Sequence, residues 1–86
     1  MKSMSGKNDM TVEELKKKLD ELNIQQDLYS LMIGGFPNEA YCLIKNEDGW
    51  EVYYSERGNK RGTRQFASES DACEYLEERL RKYAGL

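Results

Sequence analysis

Apolar residues recur along this chain with two different periods, and the switches between them lay out its elements. Val12, Leu15, Leu19 and Leu22 fall at helical spacing, while Lys16, Lys17, Lys18, Asp20 and Glu21 point away. Thr11-Val12-Glu13-Glu14 is a capping box, in which the Thr hydroxyl takes an orphan amide and Glu14 reaches back. A helix is therefore predicted over about 11–23, with Asn23 stopping it in the left-handed conformation. Glu14, four residues before Lys18, supports that lysine on the solvated face. Asp27 to Ile33 fits either a strand or a helical turn: its alternation is imperfect, its Tyr and Ile favour a strand, and Gly34-Gly35 ends it. Phe36-Pro37-Asn38 reads as a turn, and no Lys-Ser/Thr follows the glycine pair to make a phosphate loop.

The period then becomes two. Glu39 to Glu56 reads as two strands joined at Asn46-Glu47-Asp48-Gly49, and it holds the only Trp and three of the six Tyr. On the first strand Ala40, Cys42 and Ile44 share a face, with Tyr41, Leu43 and Lys45 opposite. On the second Trp50, Val52 and Tyr54 share a face, with Glu51, Tyr53 and Ser55 opposite. The uncharged set with the Trp is expected to face the core. That leaves Tyr41, Leu43 and Tyr53 pointing outward, joined by Tyr29 and Leu31 if the earlier segment pairs.

Residues 55–60 turn the chain again, with Gly58-Asn59 suited to positive φ. A third strand from about Arg61 to Phe66 is polar apart from Phe66, as an edge strand is, and its arginines discourage edge-to-edge pairing. Ser68 caps a second helix, with Glu69 and Asp71 at its positive end and Arg79, Arg81 and Lys82 at its negative end. Ala72, Cys73, Leu76, Leu80 and Tyr83 form its buried stripe, and Gly85 closes it. The expected fold is an α+β two-layer sandwich in the order α-(β)-β-β-β-α, a three- to four-stranded antiparallel meander with two helices on one face.

Composition narrows the chemistry. The chain has 86 residues, enough for a single domain over 11–86, and residues 1–10 carry no apolar pattern and read as a disordered tail. No apolar run follows Met1, so neither signal peptide nor membrane span is expected, and the cytoplasm is the expected compartment. Histidine is absent, which removes the commonest general base and the commonest metal ligand together. Cys42 and Cys73 lack metal or redox spacing and read as buried small hydrophobes. The carboxylates fall in a turn or on a solvated helix face, without an apolar pocket to raise their pKa. An enzyme is not expected, and neither a cofactor nor a bound metal.

The net charge of −3 does not call for a polyanionic partner. The α-β-β-β-α order is also that of the double-stranded RNA-binding domain, which grips phosphates with Lys at the start of its last helix. Here that position reads Ser68-Glu69-Ser70-Asp71, which repels them. Arg57, Lys60, Arg61 and Arg64 do form a basic cluster, leaving a nucleic-acid binder as an alternative. The outward Tyr face is the stronger feature, because Tyr buries a large rigid ring and keeps a hydroxyl to bond. The expected partner site is therefore Tyr41, Leu43 and Tyr53 with the charged rim Arg57, Lys60, Arg61 and Arg64, and burial of that face in a homodimer is a further alternative.

Asp48-Gly49-Trp50-Glu51-Val52-Tyr53-Tyr54-Ser55-Glu56-Arg57-Gly58-Asn59-Lys60, followed by Phe66-Ala67-Ser68-Glu69-Ser70-Asp71-Ala72-Cys73, resembles small bacterial immunity proteins across about residues 24–83. The resemblance implies a protein that binds and masks the toxin domain of a polymorphic toxin or contact-dependent system. It implies no particular contact residues.

Overall fold

The computed structural model describes residues 10–86. Helix α1 spans Val12–Glu21 and begins with the expected capping box: Glu14 N–H donates to Thr11 Oγ1 at 3.2 Å, and Thr11 N–H to Glu14 Oε1 at 3.3 Å. It ends as expected at Asn23, φ 60. Ile24 N–H bonds Leu19 O and Asn23 N–H bonds Asp20 O, both at 3.0 Å, the paired bonds of a Schellman motif. Residues 1–9 of the expected tail lie outside the described residues, and Met10 packs half-buried against the core.

The ambiguous segment contains both of its readings. Gln26–Leu28 is one 3₁₀ turn, and strand β1, Tyr29–Leu31, follows it. Strands β2 (Ala40–Asn46), β3 (Gly49–Glu56) and β4 (Asn59–Phe66) complete a sheet in the order β1-β2-β3-β4. Helix α2, Glu69–Ala84, closes the chain, with Ser68 Oγ accepting from Asp71 N–H at 3.1 Å. Both helices bury their stripes on one face of the sheet, as expected: Leu15, Leu19, Cys73, Leu76 and Leu80 join Leu43 and Val52 in one cluster. Tyr83 is the exception in the α2 stripe, standing 49% exposed near the helix end.

The sheet is mixed rather than an antiparallel meander. β1 runs parallel to β2, and only the β2–β3 and β3–β4 pairs are antiparallel. The reason lies in residues 32–39, which carry the chain back so that β2 restarts in the direction of β1. A parallel connection usually needs about a dozen residues; this shorter one turns through left-handed backbone at Met32, Gly34, Gly35 and Glu39. It crosses the face that the helices leave bare, and Tyr53 Oη donates to Gly35 O there at 2.7 Å.

Register corrects the expected assignment of faces. Asn46 pairs with Gly49 around a two-residue turn, which sets Leu43 opposite Val52, Tyr41 opposite Tyr54, and Cys42 opposite Tyr53. Tyr41 and Leu43 therefore share the helix side with Trp50, Val52 and Tyr54. Tyr53 shares the other side with Ala40, Cys42 and Ser55, all buried beside the 32–39 strap. Because successive side chains alternate across the sheet, a shift of one position in pairing exchanges the two faces entirely.

Candidate functional site: a tyrosine and arginine cleft

Two helices cannot cover four strands, and two clefts remain at the sheet's edges: one of about 310 Å³ between α1 and β1, and one at the start of β4. Its register shifts between Val52 and Tyr54, leaving Gly62 and Thr63 opposite Tyr53 alone. This is a β-bulge. It brings Arg61 opposite Tyr54 and Arg64 opposite Val52, both on the helix side. Between this strand and α2 lies a cleft of about 230 Å³, lined by Tyr41, Tyr54, Tyr75 and Arg79 with Arg61 and Gly62. The β3 segment Val52–Tyr53 completes its lining.

Aromatic rings make one wall. Tyr41 and Tyr54 lie 4.8 Å apart between ring centroids, and Tyr83 from α2 meets them at 6.1 and 6.5 Å. Desolvation, with the Tyr83 hydroxyl beside it, pushes the Tyr54 phenol up to about 12, so it keeps its proton at neutral pH. The opposite wall, Tyr75 with Arg79, belongs to a stack that Arg64 joins from outside the cleft lining. Arg64 lies 5.5 Å and Arg79 5.2 Å from the Tyr75 ring centroid, within cation–π range. Arg79 Nε also donates to the Tyr75 hydroxyl at 3.0 Å, which raises the arginine's pKa and keeps it charged. Arg61 Nε sits 3.3 Å from Glu56 Oε1 at the mouth.

Of the residues expected to meet a partner, the structure gathers Tyr41 and Arg61 in this cleft, sets Arg64 outside its lining near the Tyr75 ring, and disperses the rest. Leu43 is fully buried beneath the helices, and Tyr53, at 1% exposure, lies on the other face of the sheet. Neither presents its side chain outward, which corrects the expected open Tyr face. Lys60 turns to Tyr53's side, 4.6 Å from its ring centroid and 3.0 Å from Glu51 Oε2. Arg57 occupies the tip of the β3–β4 turn with φ 52. Lys18 pairs with Glu77 of α2 at 3.8 Å, while Glu14 is engaged in its capping box.

Sequence reasoning missed Tyr54, Tyr75, Arg79 and Tyr83 as site residues. Two signals were present. The two-residue turn at Glu47-Asp48 sets Tyr41 across from Tyr54, and Tyr75 and Arg79 stand four apart, on one side of a helix.

Nothing in the cleft resembles a poised thiol. Desolvation raises the Cys42 pKa and lifts that of Cys73 to about 12, the latter helped by Glu69, and both thiols are buried. Among the described residues no helix is long and apolar enough to cross a membrane. Comparison with family models, with curated proteins and with solved structures finds no match to this chain.

Proposed function

We propose that this chain is a non-enzymatic protein-binding module, acting in the cytoplasm to mask the toxin domain of a bacterial polymorphic toxin or contact-dependent system. The binding part of this reading is carried by the cleft: half-buried Tyr41, Tyr54, Tyr75 and Arg79 meet the exposed Arg61 in one concave place. Tyr and Arg are the residue types enriched where interfaces concentrate their energy. Tyr54 keeps its proton at neutral pH and Arg79 its charge, so these two groups present hydrogen-bond donors rather than bases. The toxin-masking part rests on the resemblance of residues 48–60 and 66–73 to immunity proteins.

Co-expression with the product of the neighbouring reading frame tests it. A stable complex that relieves growth arrest by that product supports the reading, and absence of any complex removes it. A second reading, single-stranded nucleic acid, draws on the exposed Arg64 guanidinium near the Tyr75 ring, since an arginine plane also stacks a base. Salt-dependent retention of an oligonucleotide, lost on Arg64→Gln, favours that alternative.

A further inference from the structure

The cleft holds a guanidinium, that of Arg79, which no carboxylate of the described residues pairs directly. Arg61 has Glu56 as its partner, but no carboxylate among the described residues lies within 4.0 Å of a nitrogen of Arg64 or Arg79. A guanidinium has five N–H donors. Arg79 directs Nε to the Tyr75 hydroxyl, so its terminal amino groups are left for another acceptor. Two like charges also crowd one ring, at 5.5 and 5.2 Å from its centroid. The negative face of the ring offsets part of their repulsion, and an anion beside them offsets more.

Building on the protein-binding reading, we infer that the cleft receives a single carboxylate, the side chain of an Asp or Glu on a protein partner. Arg79 and Arg61 clamp the carboxylate by their terminal amino groups, and the Tyr41 and Tyr54 rings enclose its methylene stem. The space of about 230 Å³ suits one side chain rather than a whole element. Planar guanidinium and planar carboxylate match in two parallel hydrogen bonds, a fit that a lysine site lacks.

Negative charges around the cleft favour a protein segment over a nucleic acid. Glu56 stands at Arg61, Glu39 and Glu56 act on Tyr54, and Glu78 acts on Arg79. A strand bearing a phosphate at every nucleotide brings its neighbouring charges against these carboxylates. A polypeptide places one acid between neutral or basic residues, and Glu39, Glu56 and Glu78 attract the latter. The partner is thus a segment with an isolated acidic residue flanked by lysine or arginine.

The test uses the full chain, ¹⁵N-labelled, and three probes at millimolar concentration: a blocked lysine-glycine-glutamate-glycine-lysine peptide, its glutamine analogue, and hexathymidylate. The glutamate peptide is expected to give saturable shifts at the Gly62 amide and the Arg79 side-chain Nε–H. Binding should weaken at least about tenfold both for the glutamine analogue and in Arg79→Gln, the loss expected when a charge-assisted pair is removed. Equal binding of the two peptides, an absence of saturable shifts, or an unaltered response in Arg79→Gln overturns the inference. Tighter saturation of the same signals by hexathymidylate overturns it in favour of nucleic acid. If the peptides fail while the co-expressed complex still forms, the carboxylate assignment alone is lost; if the complex never forms, the broader reading is lost.

Discussion

The Tyr53 hydroxyl donates to the Gly35 carbonyl at 2.7 Å and fastens residues 32–39 across the face of the sheet that the helices leave bare. Tyr53 is thereby a core residue of a second, smaller layer with Cys42 and Ser55. Burial pushes its phenol up to about 12, with Cys42 and Glu51 adding to the effect. Tyr53→Ala is expected to destabilise the fold by about 3–5 kcal/mol, the range for deleting a buried aromatic ring. Tyr53→Phe, losing only the bond to Gly35, should cost about 1 kcal/mol. Urea unfolding of the two variants measures both, and an alanine variant as stable as the parent contradicts the buried role.

Gly49 and Gly62 both take positive φ but for different reasons. A Cβ on Gly49 would clash with the Phe66 carbonyl oxygen, whereas one on Gly62 meets nothing within 4 Å. Gly62→Ala should cost only the left-handed backbone penalty of about 1–2 kcal/mol. Gly49→Ala must in addition push the β3 and β4 backbones apart. Thermal melts should rank Gly49→Ala well below Gly62→Ala, and the reverse order removes this account of the β3–β4 packing.

These glycines mark how far the sequence could be read. Local chemistry was legible: Thr11 and Glu14 announce a capping box, Asn23 a stop, and Ser68 a cap, and each is found where its hydrogen bonds require. What alternation alone left open was the relative phase of β2 and β3, because both faces of each strand carry apolar residues. The two-residue turn between Asn46 and Gly49 fixes that phase and sends Leu43 inward with Val52. The parallel pairing of β1 was less accessible. It depends on the strap over Tyr53, whose hydrogen bond joins residues far apart in sequence. The arginine stack was hidden for a similar reason, since the bulge at Gly62 sets which β4 side chains face α2.

Arg57 and Gly58 both take positive φ, 52 and 79, between paired Glu56 and Asn59. This is the pattern of a type I′ hairpin turn, in which Asn-Gly is the preferred pair. Arg57→Asn should therefore stabilise the domain, by about 0.5–1 kcal/mol. A raised urea midpoint with unchanged slope is the expected result.

Alkaline stability follows from the buried thiol of Cys73, lifted from 9.0 to about 12 by desolvation and neighbouring glutamates. The folded state holds this proton longer than the unfolded chain does. Its contribution is complete below pH 9.0 and declines as the pH rises toward about 12. For a fully buried group the slope is about 1.4 kcal/mol per pH unit. Cys73→Ala should flatten this part of the profile, measured as urea midpoint against pH. An equally steep decline in the variant assigns the loss to other groups, Tyr53 and Tyr54 first.

Glu69 ties the two helix starts together. Its Oε2 accepts from Val12 N–H at 2.8 Å, so a residue in the first turn of α2 satisfies an orphan amide of α1. Glu69→Ala should cost about 1 kcal/mol, comparable to loss of a helix cap. Hydrogen exchange at the Val12 amide should quicken in that variant.

The most direct measurement of the central claim is the affinity of the double variant Arg61→Gln/Arg79→Gln for the protein partner obtained by co-expression, read by calorimetry beside its melting curve. The cleft account expects a cooperative melting curve lowered by only a few degrees, about 1 kcal/mol for the lost Tyr75 and Glu56 contacts, with binding weakened by at least about 2 kcal/mol, the scale of an interface hot spot. A variant that stays folded and binds as tightly as the parent contradicts it.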